Sequence, residues 1–343
     1  MSARPPTIKD VARAAEVSFK TVARVLNHEP GVREALRARV QAAVDQLGYT
    51  PNVSARGLSG AGSRMIVLIS NAPHGPYRQN YGFMATIQAA AVRACRERGY
   101  HLAIEAAPDD AGLIKAIDAA RALAPEGLLI LPPICDNAAL TAALERGEVS
   151  AVRIAPTART DLGQWVRMDD RAAAAAMTRH LLGLGHTDIA FVEGHPDHGA
   201  SALRLAGFRE AMDEAGLSVG PHRVEPGAFT FASGRVAGLR LLARPEERPT
   251  AIFAANDLSA LGVIAAAAEL GLKPPRDVSV AGFDDMEAAR MVWPELTSIR
   301  QPLEGFAQAA VDMVISGGEA PTERWVEFEL MARASTAPPG PRS

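Results

Sequence analysis

Cysteine is nearly absent from this chain: Cys95 and Cys135 are the only two in 343 residues, and neither stands in a metal-type or redox-type spacing. That argues against a disulfide framework and for buried free thiols in a reducing compartment. Long apolar runs are missing as well, since no stretch of about 18 apolar residues occurs, which argues against a membrane span. The opening MSARPPTIKD has no apolar h-region, so no signal peptide is expected and the protein reads as cytoplasmic. Catalytic signatures are equally scarce. There is no GxSxG or HExxH, and no nucleophile stands near a convincing base. The Gly-rich GLSGAGS lacks a following GK[ST], which disfavours a nucleotide loop. Neither an enzyme nor a cofactor is expected.

What is present is an ordinary globular balance, with 48% hydrophobic and 22% charged residues. The length exceeds what one compact core accommodates and points to two or three domains. Charge is uneven. Residues 1–60 hold nine Lys/Arg against five acids, a balance of +4, which leaves −7 for the remainder of a chain whose formal charge is −3. A basic head on an acidic body suits a nucleic-acid contact confined to one end.

The stretch TIKDVARAAEVSFKTVARVLN, Thr7 to Asn27, explains that head. Ile8, Val11, Ala12 and Ala15 recur at helical spacing, Glu16 to Ser18 break it, and Val22, Val25 and Leu26 resume it. Two short helices joined by a tight turn describe a helix-turn-helix. Thr7 and Ser18 stand where a hydroxyl would cap each helix. The outward face of the second helix carries Phe19, Lys20, Thr21 and Arg24, with Asn27 just past its end. These side chains suit base edges and phosphates in a major groove. Leu36, Val40, Ala43, Val44 and Leu47 mark a third helix, stopped at Gly48. The following Asn52–Leu58 is too short to persist alone as a helix. It reads either as a plain linker or as a segment that folds on DNA with Leu58 wedged into the minor groove.

From Met65 onward short apolar strands alternate with helix-like stretches, as at Gly127–Leu131, Ala151–Ile154, Ile189–Val192 and Ala251–Ala254. That alternation predicts an α/β architecture: an N-terminal all-α head plus a core of two doubly wound parallel-sheet lobes. Ligands in such folds sit beyond the carboxyl ends of the strands. Asn71, His195, Asn256, Asp257, Asp284 and Asp285 all fall there. Asp284 is read as a ligand contact and Asp285 as a solvated loop carboxylate. His195 and His198, in GHPDHG, have no third ligand nearby and read as loop structure rather than a metal site. The Pro-rich tail is expected to be disordered.

At this point the residues TIKDVARAAEVSFKTVARVLN, LGYTPNVSARGL, RLAGF, AANDLSALG, VAGFDD and LTSIRQP, in that order, resemble the LacI/GalR family of bacterial transcription regulators. The resemblance spans nearly the whole chain. It implies a homodimer on a palindromic operator in double-stranded DNA, with a hinge helix and a core like a periplasmic sugar-binding protein. The phrases RERGYHL, HPDHGAS and VWPELTSIRQP resemble a sugar-responsive sub-group, so a small-molecule effector, a sugar, is expected. Carried over, Phe19, Lys20 and Arg24 fall where the family reads bases and Thr21 where it grips phosphate. Leu58 matches the intercalating hinge leucine and Ala55 its partner, with Asn52 opening the hinge. Arg204, Asn256, Asp284 and Gln301 fall where members contact effector, and Phe229 where an aromatic stacks on it. Paired carboxylates, amides and guanidinium suit adjacent hydroxyls, and an aromatic suits a sugar's apolar face.

The chain also departs from the pattern. Glu16 holds a turn position usually given to Gly, Ala23 replaces a frequent Ser, and Gly57 weakens the hinge. The first-lobe loop NAPHGPYRQN matches poorly, which leaves Asn71, Tyr77 and Arg153 as the candidates there. The expected boundaries are a head at 1–50 and a hinge and linker at 51–63. A first lobe follows at 64–168 with 301–323, then a second at 169–300 with 324–334, and a tail at 335–343. A periplasmic binding protein would share the lobes without needing the basic head. A sugar-processing enzyme would need a catalytic pair that is not found.

Overall fold

The structure, a computed structural model, describes residues 4, 6–26, 31–49, 63–71, 81–107, 109–319 and 321–340. They fall into two units, a helical head and a larger body. The hinge candidates Asn52, Ala55 and Leu58, together with Asn27 and Tyr77, lie outside the described residues.

Among the described residues the head is three helices: α1 (Ile8–Ala14), α2 (Phe19–Leu26) and α3 (Glu34–Leu47). Val11, Ala15, Val22, Val25, Val40 and Val44 form its buried centre, the positions picked out by the apolar period. Between α1 and α2, Glu16 adopts φ 51°. The turn therefore does need a left-handed residue, at a cost to Glu of about 1 kcal/mol. Gly48 closes α3 at φ 59°, the conformation glycine adopts without penalty. Ser18 caps as expected, its Oγ accepting the Thr21 N–H at 3.1 Å. At α1, Thr7 is the N-cap and forms a reciprocal capping box with Asp10. The Asp10 carboxylate accepts from the Thr7 N–H at 2.9 Å and the Thr7 hydroxyl at 2.6 Å. Those bonds hold Asp10 below the usual carboxylate range.

The body holds two six-stranded sheets. The first comprises β1 (Met65–Asn71), β2 (His101–Ala107), β3 (Gly127–Ile130), β4 (Ala151–Ile154), β5 (Gln164–Arg167) and β11 (Glu323–Trp325). Its order is β11-β5-β4-β3-β1-β2 and every pairing is parallel. Alternate residues of β1 serve opposite faces. Ile66 and Leu68 meet α4 (Tyr81–Glu97) and α12 (Leu303–Ser316), whereas Val67 and Ile69 meet α5 (Asp110–Ala122). Such a strand must be apolar throughout.

The second sheet runs β12-β10-β9-β8-β6-β7. It contains β6 (Ile189–Val192), β7 (Val224–Glu225), β8 (Ala251–Ala254), β9 (Ser279–Asp284), β10 (Thr297–Arg300) and β12 (Glu329–Met331), the last antiparallel to β10. Phe191 and Phe253 face one way, against α7 (Asp170–Gly183) and α8 (Gly199–Glu214). Val192 and Ile252 face the other, against α9 (Phe231–Leu242) and α10 (Asp257–Glu269).

Two expectations change. The last crossing between lobes lies after Trp325 rather than before 324, because β11 pairs with β5 through Glu323, Arg324 and Trp325. The tail is not disordered through Gly340. Ser335 is fully buried, donating to Val280 O at 2.6 Å and accepting the Thr297 N–H at 2.8 Å. Ala337 adds a 3.1 Å bond from its N–H to Ser279 Oγ. Its proline content did not reveal that these carbonyls and hydroxyls at the sheet margin were waiting for partners.

Candidate functional site

The strand ends of both lobes converge on a cavity of about 50 Å³. β9 delivers Asp284 at its last residue, β10 delivers Gln301 just beyond its end, and α8 carries Arg204. α7 begins at Asp170, directly after the turn that follows β5. The Arg204 guanidinium donates from Nε to Asp170 Oδ1 at 2.9 Å and from an Nη to Ala255 O at 2.7 Å. It lies 3.5 Å from Asp284 Oδ1 and 3.6 Å above the Phe283 ring. Gln301 Nε2 donates to Asp284 Oδ1 at 2.6 Å. Burial pushes the Asp284 carboxyl up to about 6, against the opposing pull of Arg204 and Gln301.

One wall is the Phe229 ring, held at φ 58°. Two features secure it. Asn256 Nδ2 donates to Phe229 O at 3.1 Å. Gly194 leaves the ring its space, since a Cβ there would stand 2.0 Å from the ring. The opposite wall, from the first lobe, is mostly apolar: Phe83, Met84, Pro132, Pro133 and Ala155, with Asn71 as its polar member. Phe229 and the apolar wall could sandwich a small ring whose polar edge meets Arg204, Asp170 and Asp284.

The head presents a second surface. On α2, Val22 and Val25 turn inward while Phe19 is 56% exposed and Lys20 and Arg24 are exposed beside it. Thr21 is half-buried, its hydroxyl 2.9 Å from Ser18 Oγ. A basic and aromatic helix face of this kind fits a major groove.

Comparison with known proteins decides what these two surfaces belong to. Residues 7–52 match bacterial regulatory proteins of the lacI family. Residues 178–336 match a periplasmic binding protein-like domain. The chain is 32% identical over 334 residues to the ribose operon repressor of Escherichia coli (strain K12), covering 94% of this chain and 96% of that one. The chain belongs to the LacI family.

This LacI-family chain is also 34% identical to the transcriptional repressor PurR of Pectobacterium carotovorum subsp. carotovorum (strain PC1), covering 90% of this chain and 89% of the relative. Its structure is similar to that of the lac repressor dimer bound to operator and the anti-inducer ONPF, with TM-score 0.84, 27% identity and coverage of 97% and 100%. A CelR–cellobiose complex is similar at TM-score 0.71 and 28% identity, covering 96% and 99%. The protein is thus a DNA-binding transcriptional repressor of LacI type, a regulator rather than an enzyme. Among the described residues, no helix is long and apolar enough to cross a membrane and no group of side chains could hold a metal ion.

The residues expected at the LacI-family effector site divide into two groups. Asn71, Arg204, Phe229, Asp284 and Gln301 all line the cavity. Asn256 does not: its Oδ1 caps α10 by accepting the Ser259 N–H at 3.0 Å, so it acts through the Phe229 backbone it holds. Arg153 is a correction too. It is fully buried, and its guanidinium donates to the carbonyls of Ala158 at 3.0 Å, Arg159 at 2.5 Å and Leu162 at 2.9 Å, pinning the loop after β4 instead of facing a ligand.

Asp285 is no solvated carboxylate. Burial alone would raise its pKa, but hydrogen bonds from Arg333, Arg300 and Arg290 outweigh that and hold it low. Its φ of 52° and the 116° of Asp284 show a left-handed backbone locked in place beside the site. Asp170 and His198 escaped the sequence reading: Asp170 was hidden because β5 was not recognised, and His198 was weighed only as a metal ligand or loop, whereas His195 had been nominated for its place after a strand. Both histidines line the cavity.

Proposed function

We propose that this LacI-family repressor works as a homodimer in the cytoplasm, binding a two-fold symmetric operator and responding to a small sugar held between its lobes. The observation that carries the effector reading is the Arg204–Asp170–Asp284–Gln301 cluster facing the Phe229 ring. Adjacent hydroxyls of a sugar fit alternating carboxylate, amide and guanidinium groups, and its ring face fits the aromatic. The ribose operon repressor and the CelR–cellobiose complex, both similar to this chain, support the same class. The exposed Phe19, Lys20 and Arg24 would read bases, with Thr21 on phosphate. Sugar bound between the lobes changes the balance of two lobe arrangements, and through residues 51–63 changes operator affinity by no more than its preference for one of them.

A planar heterocyclic base is the second reading, favoured by the flat Phe229 wall. Band-shift titration against the gene's own upstream DNA, with ribose, cellobiose or hypoxanthine added, separates the two. The expected result is specific binding whose midpoint moves with a sugar and not with hypoxanthine. Specific binding that no sugar alters removes the sugar reading.

A further inference from the structure

Two polar atoms lining the cavity are buried and have no hydrogen-bond partner: Asn71 Oδ1 from the first lobe and His198 Nδ1 from the second. Native proteins rarely leave such atoms unpaired unless a ligand or ordered water completes them. His198 is held edge-on to Phe229, with ring centroids 5.3 Å apart and planes at 75°, so its Nδ1 has a defined direction. Burial, reinforced by the Arg204 charge, pushes the His198 imidazole down to about 3. At neutral pH it is uncharged.

Among the described lining residues the carboxylates Asp170 and Asp284 stand against one guanidinium, Arg204, which is already engaged with Asp170 and Ala255 O. An anionic ligand would be buried beside two carboxylates with no unpaired guanidinium among the described lining residues to receive it, a costly arrangement. A hydroxyl can both donate and accept, so it satisfies either tautomer of His198 and either setting of the Asn71 amide.

We propose that His198 and Asn71 are specificity-determining residues that select an uncharged, hydroxyl-bearing ligand and reject its phosphate ester or carboxylic acid. This rests on the effector reading above and narrows it to neutral molecules.

The test is calorimetry on the full-length protein with matched probes: D-ribose against D-ribose 5-phosphate, and D-glucose against D-glucose 6-phosphate and D-glucuronate. A neutral sugar is expected to bind at least about 100-fold tighter than its charged counterpart. His198→Phe keeps the ring contact but removes Nδ1, and should weaken the neutral sugar about tenfold. His198→Asn restores a polar atom near that position and should recover most of the loss. Asn71→Leu should weaken it similarly, and His198→Lys should shrink the gap to the phosphate ester by at least about tenfold. Thermal melts confirm that each variant folds.

A phosphate ester or glucuronate binding the wild type as tightly as its neutral partner overturns the selectivity while leaving the effector reading intact. Unchanged neutral-sugar affinity in folded His198→Phe and Asn71→Leu removes these residues from the site. Wild type that shifts operator DNA yet binds none of the probes overturns the sugar reading and this proposal together.

Discussion

The two walls of the cavity are built on different principles. The second-lobe wall is a closed polar network in which Asp170, Arg204, Asp284 and Gln301 are joined by bonds of 2.6–3.5 Å. The first-lobe wall is proline, methionine and phenylalanine with a single amide. Directional chemistry therefore resides on one lobe, already assembled before a ligand arrives, while the other contributes shape and the exclusion of water. A preassembled network loses little on binding, because its side chains are already ordered. An apolar wall discriminates weakly between similar ligands but strengthens every polar bond opposite it by lowering the local dielectric.

The largest test of this contrast is Arg204→Ala. It leaves Asp170 and Asp284 buried without their shared cation, and a loss of about 3–5 kcal/mol in stability is expected from urea unfolding. A loss under about 1 kcal/mol would show the polar wall not to be a network at all.

Asp284→Asn sharpens the contrast by separating stability from binding. Its folded pKa, raised to about 6, lies above the usual 3.8. Asp284's contribution to stability is thus fully present below pH 3.8 and lost as pH rises through about 6. At pH 7 the neutral amide should make the protein more stable by on the order of 1–3 kcal/mol, with the gap closing toward pH 4. Effector response should disappear in the same variant. Melting curves at the two pH values, with operator binding measured beside them, read both effects.

On the apolar wall, Met84→Leu conserves volume and should change stability by less than about 1.5 kcal/mol. Effector affinity by calorimetry should move by no more than about threefold, the size expected of packing without hydrogen bonds. A large drop would mean the first-lobe wall recognises detail. As a control outside both walls, Glu16→Gly relieves the left-handed turn between α1 and α2. It should stabilise the head by less than about 1 kcal/mol in thermal melts, since glycine also gains freedom in the unfolded chain.

How much of the site was legible depended on how each strand was disguised. Ile189–Val192 and Ala251–Ala254 are uninterrupted apolar runs buried on both faces, so the residues that follow them were easy to nominate. β5 is Gln-Trp-Val-Arg, with only its two middle residues buried. It lies toward one margin of its sheet with only β11 beyond it, and its short apolar signal concealed Asp170 two residues past the Met168 that follows it. Arg153 misled in the opposite direction. It stood as a first-lobe candidate only because the loop after β1 matches the family poorly, yet four backbone carbonyls take up its guanidinium.

Local pattern alone determined the three-helix head, the alternation of strands and helices, and the placing of Asn71, His195 and Asp284 near strand ends, because periodicity and turn chemistry act over a few residues; Arg204, Phe229 and Gln301 were named only through the resemblance to the LacI/GalR family. Tertiary structure alone decided which charges are spent inside the protein. Arg290, Arg300 and Arg333 converge on Asp285, Ser335 seals the margin of β9, and His198 and Asn71 meet one cavity from different lobes. Each of those outcomes joins residues from separate elements, and a side chain's charge, partner and exposure are properties of the surroundings that folding assembles.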